Sequence, residues 1–96
     1  MNIAGSSFKL KWDPPNPEDQ VDYVTVFEKI DGSYTVVATE FQPSNITTLT
    51  GVRIGTHTYV AKAHNSAGDS ADYSNEVAVT VVALPASVSN LAFTLN

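Results

Sequence analysis

Two histidines and several carboxylates are the side chains of this 96-residue chain that have the chemistry to bind a metal ion or transfer a proton. His57 and His64 lie at an odd spacing on one alternating stretch, so on a strand they point to opposite faces and cannot bind one metal ion as a pair. Four carboxylates fall in or beside one proline-rich stretch: Asp13, Glu18, Asp19 and Asp22. The stretch lacks the glycine-containing loop of a dedicated Ca²⁺ site, and we expect a solvated loop.

Catalytic motifs are missing from the sequence. It contains no G-x-S-x-G turn for a strained serine nucleophile and no glycine-rich phosphate loop. Asn45-Ile46-Thr47 is a formal glycosylation sequon, but it falls inside a predicted strand and we interpret it as a chance match. We therefore expect a protein that is not an enzyme and that uses no metal ion or cofactor.

Composition and charge limit the classes of molecule that this chain can bind. Lys and Arg number 5 against 10 Asp and Glu, and the net charge of -5 disfavours nucleic acid and anionic membranes. There is no cysteine, so a disulfide framework or thiolate metal site is excluded. No apolar run approaches the ~18 residues of a membrane span, and residues 1–5 lack the character of a signal peptide. We expect one soluble domain, cut from a longer protein.

Alternating side chains predict an all-β domain. Valine is abundant, Thr and Tyr are prominent beside it, and no segment keeps a helical period over three turns. Residues 8–12 alternate apolar with basic side chains and end at an Asp-Pro-Pro stretch, because proline cannot donate to a sheet ladder. In residues 21–29 either face can be buried, and we expect Val24 and Val26 to face the core. Asp31-Gly32 predicts a hairpin between this strand and the next.

Three further strands follow. Residues 45–49 are predicted as a strand with Ile46 as its inward anchor, and residues 77–82 as the last strand of the body. Residues 55–64 alternate, and we expect one set of side chains to face inward: His57, Tyr59, Ala61 and Ala63. The small polar residues of 65–70 supply a tight turn.

The second half of the chain carries a family resemblance. GTHTYVAKAHNSAGDS at 55–70, followed by YSNEV at 73–77, resembles the F strand, FG loop and G strand of a bacterial-type fibronectin type III domain. Leu10-x-Trp12 followed by two prolines resembles its strand B and BC loop. The resemblance implies an immunoglobulin-like two-sheet sandwich of the fibronectin type III kind, with the chain order B-C-C′-E-F-G-A and a body spanning residues 1–83.

The turn before strand F departs from the family pattern. Ile54 stands where proline is common, and His57 occupies the position usually held by a tyrosine whose hydroxyl bonds back to the backbone. Two alternatives are open for this histidine: it keeps a weaker version of that corner through a ring nitrogen, or it is solvated at the start of the strand.

The strand that normally opens such a domain is found at the other end of the chain. Residues 1–7 have no strand A pattern, whereas residues 85–96 have one. If residues 85–96 are placed ahead of residues 2–8, the two segments complete a hairpin. Strands A and G run in the same direction. For the tail to fill the strand A position of its own molecule, the chain would have to travel back roughly 23 Å after strand G, which normally takes a crossover of about a dozen residues. The five residues 83–87 reach about 18 Å, which looks too short.

We therefore hypothesise that residues 84–96 form an A-type strand that docks on a neighbouring molecule, beside its unpaired strand B. Such a head-to-tail contact generates open filaments unless a ring closes. The alternatives are a circular permutant that closes on itself and a loose tail left by a domain boundary set one strand late. The predicted strand-donor interface is apolar: Val88, Leu91, Phe93, Leu95, Phe8, Leu10 and Trp12.

An alternative function is the binding of a protein or carbohydrate ligand through the BC and FG loops, since loops at one end of a sandwich often carry function. The candidate contacts are Asn16, Glu18, Asp69 and Tyr73. Tyr73 offers an aromatic face with a polar tip, although it can equally serve as a packed loop anchor. In either case the resemblance implies a structural, adhesive or spacer module from an extracellular bacterial protein or a phage virion.

Overall fold

The computed structural model describes residues 2–4, 6–83, 89 and 91–94. Its strands are β1 (Asn2–Ala4), β2 (Phe8–Lys11), β3 (Tyr23–Ile30), β4 (Ser33–Phe41), β5 (Ile46–Leu49), β6 (Gly55–Asn65), β7 (Gly68–Asp69) and β8 (Val77–Val82). A 3₁₀ turn spans Pro17–Asp19. Among the described residues, no helix has the length and hydropathy needed to cross a membrane.

The strands form two sheets. The larger sheet has the order β1-β8-β6-β3-β4, with β7 paired to β6, and the smaller sheet consists of β2 and β5. Strands β2, β3, β4, β5, β6 and β8 correspond to the predicted strands B, C, C′, E, F and G. The predicted all-β, two-sheet fold class is therefore confirmed.

The turn between β3 and β4 sets the register of these two strands next to the hairpin. Asp31 and Gly32 both have positive φ angles, 50° and 80°, which is the conformation of a two-residue type I′ hairpin turn. Ile30 pairs directly with Ser33 across it. The Asp-Gly hairpin is confirmed.

The core lies between the two sheets. Its buried cluster is Val26, Leu49, Tyr59 and Val79, against which Phe8, Leu10, Trp12, Val37, Ala38, Val52 and Ala61 pack. Val24 and Val26 are 5% and 2% exposed, as expected from the sequence. Val60 is also buried, although it lies on the opposite side of β6 from Tyr59.

The inward face of β5 differs from the prediction. Ile46 is 38% exposed, whereas Thr47 and Leu49 are buried. These two residues pair with Leu10 and Phe8 of β2 and share their inward face. Thr47 is tolerated there because its hydroxyl bonds to the Glu40 carboxylate at 2.9 Å, which leaves the buried polar group satisfied.

The two ends of the chain are the places to compare with the predicted position of strand A. Residues 2–4, where the sequence showed no such strand, form β1, which pairs in parallel with the end of β8 at Thr80–Val82. The segment 91–94 lies in no strand in the single chain. The remaining part of the predicted tail, including Val88 and Leu95, lies outside the described residues.

Gly32 gives a direct test of the turn. Because its φ is 80° and a Cβ would meet no atom within 4 Å, Gly32→Ala should cost only the backbone strain, about 1 kcal/mol of unfolding free energy. Urea denaturation measures this loss. The matched control Ser33→Ala, at an exposed position of the same hairpin, should change the unfolding free energy by less than about 0.5 kcal/mol; equal losses would show that the positive φ is not the cause.

Candidate functional site

The smaller sheet has an open edge. Strand β2 pairs with β5 on one side, and no described strand pairs with its other side. On the facing sheet, β1 covers β8 only beside Thr80–Val82. An open slot therefore runs past the Leu10–Trp12 end of β2, and unpaired strand edges of this kind are templates for strand addition.

A groove with apolar and polar walls lies next to this edge. It has a volume of about 290 Å³; Leu10, Trp12, Tyr59 and Val77 form apolar parts of its wall, and Lys11 and Asp13 also line it. Val77, at the uncovered start of β8, is 40% exposed. The Nε1 group of Trp12 is buried without a hydrogen-bond partner.

The structure brings together three of the seven residues of the predicted strand-donor interface. Phe8 and Leu10 lie on β2, Trp12 follows its last residue, and all three pack against the core. Leu91 and Phe93 lie apart from them, 93% and 83% exposed in the single chain. The tail therefore presents two uncovered apolar side chains.

The predicted loop contacts are close together but mostly engaged. The BC and FG loops meet where the Asn65 side chain donates to the Asp19 carbonyl at 2.8 Å. Asn16 caps the 3₁₀ turn by accepting from the Glu18 backbone N–H. Asp69 bonds to His64 Nδ1 at 2.9 Å. Among the described residues, no group of three or more His, Asp or Glu side chains could hold a metal ion.

Tyr73 packs on the larger sheet instead of projecting from the FG loop. Its ring stacks on Tyr34 with centroids 4.2 Å apart and meets the edge of Phe27 at 5.6 Å. The Lys62 ammonium lies over the same ring, 4.3 Å from its centroid. Sequence analysis assigned this surface no role. The signal that could have shown it is the alternation of Tyr23, Thr25 and Phe27 on the face of β3 opposite Val24 and Val26.

His57 joins the turn before β6 to the centre of the larger sheet. Its Nδ1 lies 2.8 Å from a Glu28 carboxylate oxygen, and its Nε2 donates to the Arg53 carbonyl at 2.7 Å. His57, Glu28 and Arg53 all line a cleft of about 610 Å³ between the sheets, together with Tyr59. Burial, and then the charge of Glu28, raises the pKa of Tyr59 to about 12, so its hydroxyl stays protonated.

Comparison with known structures gives three likenesses. The crystal structure of FN3tt has a TM-score of 0.62 at 19% identity, over 83% of this chain and 83% of that chain. The structure titled FN3tt mut has a TM-score of 0.59 at 18% identity, over 78% and 74%. The twitchin kinase region from C. elegans has a TM-score of 0.61 at 26% identity, over 79% of this chain and 14% of that chain. The chain has the fibronectin type III fold. No protein-family model matches the sequence, and no curated protein matches it.

Within the fibronectin type III fold, His57 takes the place of the corner tyrosine. A tyrosine near the start of strand F usually bonds to the backbone a few residues upstream, and His57 makes that bond to Arg53, four residues back. Of the two alternatives that the sequence left open, the structure shows the histidine corner. The imidazole also adds a contact that a tyrosine lacks, the bond to Glu28.

The two acceptors around His57 favour its protonated form. Only an imidazolium donates from both ring nitrogens at once. Hydrogen bonds to the Glu28 carboxylate and to the Arg53 carbonyl raise the pKa of His57 above its usual 6.5, outweighing burial, which lowers it. A raised folded-state pKa gives stability that is fully present below about pH 6.5 and is lost as the pH rises through the folded value.

Comparison of the natural chain with His57→Phe tests this corner. We expect the variant to lose about 1–2 kcal/mol of unfolding free energy near pH 6, and this loss to shrink as the pH rises through the folded-state pKa of His57. Urea denaturation near pH 6 and at successively higher pH values measures the difference. Glu28→Gln is the matched control, since it keeps the hydrogen bond from His57 to Arg53 but removes the carboxylate. If the unfolding free energy lost in His57→Phe stayed constant with pH, that result would contradict the charged form of His57.

Proposed function

We propose that this fibronectin type III domain is a non-catalytic structural or adhesive module that self-associates head to tail. In each contact, the C-terminal segment of one molecule docks beside β2 of the next. The observation that carries the proposal is the coincidence of a vacant strand edge on the body with two uncovered apolar side chains, Leu91 and Phe93, on the tail.

The chemistry of the tail suits the groove. Leu91 and Phe93 alternate, so in an extended segment they share one face and can both enter an apolar site. Residues 84–96 contain no charged side chain, which keeps the desolvation cost low. Burying each of the two apolar side chains is worth roughly 1.5–3 kcal/mol.

Strand β1 limits where the incoming segment can lie. It covers β8 beside Thr80–Val82, so the free part of the slot is the end near Trp12 and Val77.

The proposed contact has two different surfaces, a tail on one molecule and an edge on the other. Heterologous contacts of this kind build rings when the rotation closes and filaments when it does not. The partner is therefore a second copy of the chain, or a neighbouring domain of the same kind in a longer protein. Such a module fits the extracellular bacterial or virion setting that the sequence resemblance implies.

Ligand binding through the BC and FG loops is the second candidate. The loops do lie together, joined by Asn65 and Asp19. The alternative has less support because Asn16 and Asp69 are engaged in local hydrogen bonds and Tyr73 packs on the sheet. Of the four predicted contacts, Glu18 is the one whose side chain shows neither a hydrogen bond nor a ring contact in the described part of the chain.

Strand donation predicts assembly that depends on the tail. We expect the average mass of the full chain, measured by multi-angle light scattering, to grow with concentration. A chain that ends at Ala83 should stay monomeric, because it keeps the acceptor edge but has no donor. Growth that persists after truncation, or a monomer in both cases, would rule out the proposed contact.

A matched pair of double variants separates the apolar face of the tail from its charge. Leu91→Asp with Phe93→Asp should abolish the concentration-dependent growth, since both carboxylates would enter the groove. Ala92→Asp with Thr94→Asp adds the same charge on the alternate face and should retain assembly. Thermal melting of all chains verifies that the body remains folded, and equal loss of assembly in both pairs would contradict a specific docked face.

A further inference from the structure

A second surface, independent of the β2 edge, lies on the side of the larger sheet that faces away from the core. We define the outer face as the outward residues of β3, β4 and β6. Their registers arrange them in four rows: Tyr23, Phe41 and His64; Thr25, Thr39 and Lys62; Phe27, Val36 and Val60; Lys29, Tyr34 and Thr58. Tyr73 packs over Phe27 and Tyr34.

Two aromatic groups occupy this face. In the first row, Tyr23 stacks on His64 with centroids 4.4 Å apart and contacts Phe41 at 5.3 Å. The other group is the cluster of Phe27, Tyr34 and Tyr73. Several side chains of the outer face remain accessible: Phe41 is 66% exposed, Val36 57% and Tyr34 40%. Exposed aromatic side chains are a feature of interaction sites, since aromatic residues are enriched at the centres of interfaces.

The charge of the outer face is opposite to that of the chain. None of the ten Asp and Glu residues stands in the four rows, whereas two lysines and a histidine do. Two of these basic groups already have carboxylate partners at the rim, His64 with Asp69 and Lys29 with Glu76. Within the described part of the chain, Lys62 has no ion-pair partner and rests on the Tyr73 ring.

We propose that the outer face binds an extended peptide segment of a partner protein in which one acidic residue is flanked, at alternate positions, by two apolar residues. The acidic residue pairs with Lys62, and the apolar residues contact the aromatic groups on either side of the Lys62 row.

Strand geometry supports this pattern. The rows at Tyr23, Thr25 and Phe27 are two residues apart, or roughly 6.6 Å, and alternate side chains of any extended segment have the same spacing. A segment that lies along β3 therefore presents apolar, acidic and apolar side chains to three successive rows. Face-to-face strands pack within about 30° of each other, which keeps this match over a few residues.

The C-terminal segment of this chain does not fit the outer face. Residues 84–96 have no carboxylate side chain to offer Lys62, whereas the groove beside β2 suits an uncharged segment. The two surfaces therefore bind different segments, and the proposal for the outer face does not depend on strand donation.

A charge-swap titration tests the proposal on the full chain. The probe is a fluorescein-labelled, C-terminally amidated peptide of sequence Thr-Phe-Thr-Glu-Thr-Leu-Thr, and its counterpart has Lys in place of Glu. By fluorescence anisotropy, we expect the natural chain to bind the Glu peptide about fivefold more tightly than the Lys peptide, as for an exposed ion pair of about 1 kcal/mol. Lys62→Glu should reverse that preference. A preference that is the same in both chains would overturn the proposal.

Two apolar substitutions locate the contact. Phe41→Ala, on the outer face, should weaken binding of both peptides by a similar factor. Ile54→Ala removes a side chain that is 70% exposed on the turn before β6 and should leave both affinities unchanged; equal weakening by the two variants would contradict the proposed surface. The double variant at Leu91 and Phe93 should bind the Glu peptide as the natural chain does.

One competitor distinguishes the class of ligand. Oligogalacturonate carries carboxylates on sugar rings and so offers charge to Lys62 together with hydroxyl groups to the threonine row. We expect it to displace the labelled Glu peptide poorly. Displacement at a concentration below that of unlabelled peptide would assign the outer face to an acidic carbohydrate and overturn the peptide proposal.

Discussion

The pairing of β3 with β6 at the centre of the larger sheet is the constraint on which the rest of the structure depends. Their register runs from Tyr23 opposite His64 to Lys29 opposite Thr58. Because side chains alternate across a strand, this register assigns Val26 and Tyr59 to the core and Phe27 and Lys62 to the opposite face. A slip by one residue would exchange the two faces, so the core and the outer face are specified together.

The two sheets are unequal, and this difference explains where the chain exposes apolar surface. The smaller sheet has only β2 and β5, four residues each. It covers the middle of the larger sheet but leaves the start of β8 uncovered, and the groove beside Leu10 and Trp12 follows from that shortfall. The outer face is exposed for a different reason, since neither sheet packs on it. Its aromatic groups are ordered instead by contacts with one another and with Tyr73.

Sequence reasoning succeeded where the local signal and the tertiary fold agree. Asp31-Gly32 specifies its own turn, and the valines of β3 are buried because the same face is apolar along its neighbours. It was wrong at Ile46, because hydrophobicity favoured isoleucine over Thr47 and the Glu40 carboxylate that satisfies the threonine comes from another strand. The short strand β1 has almost no pattern of its own and is defined by pairing with β8. The rows of the outer face depend on registers across three strands, which no single segment reveals.

Strand donation, as proposed here, would couple assembly to stability. A two-stranded sheet is marginal alone and depends on packing against the larger sheet. A third strand beside β2 would cover the groove and protect an edge that otherwise invites unspecific pairing. Anything that binds the folded state and not the unfolded chain stabilises the fold by mass action. The stability of each body would therefore rise with the concentration of its neighbours, whereas a peptide on the outer face, away from the small sheet, would stabilise the fold without requiring any second copy.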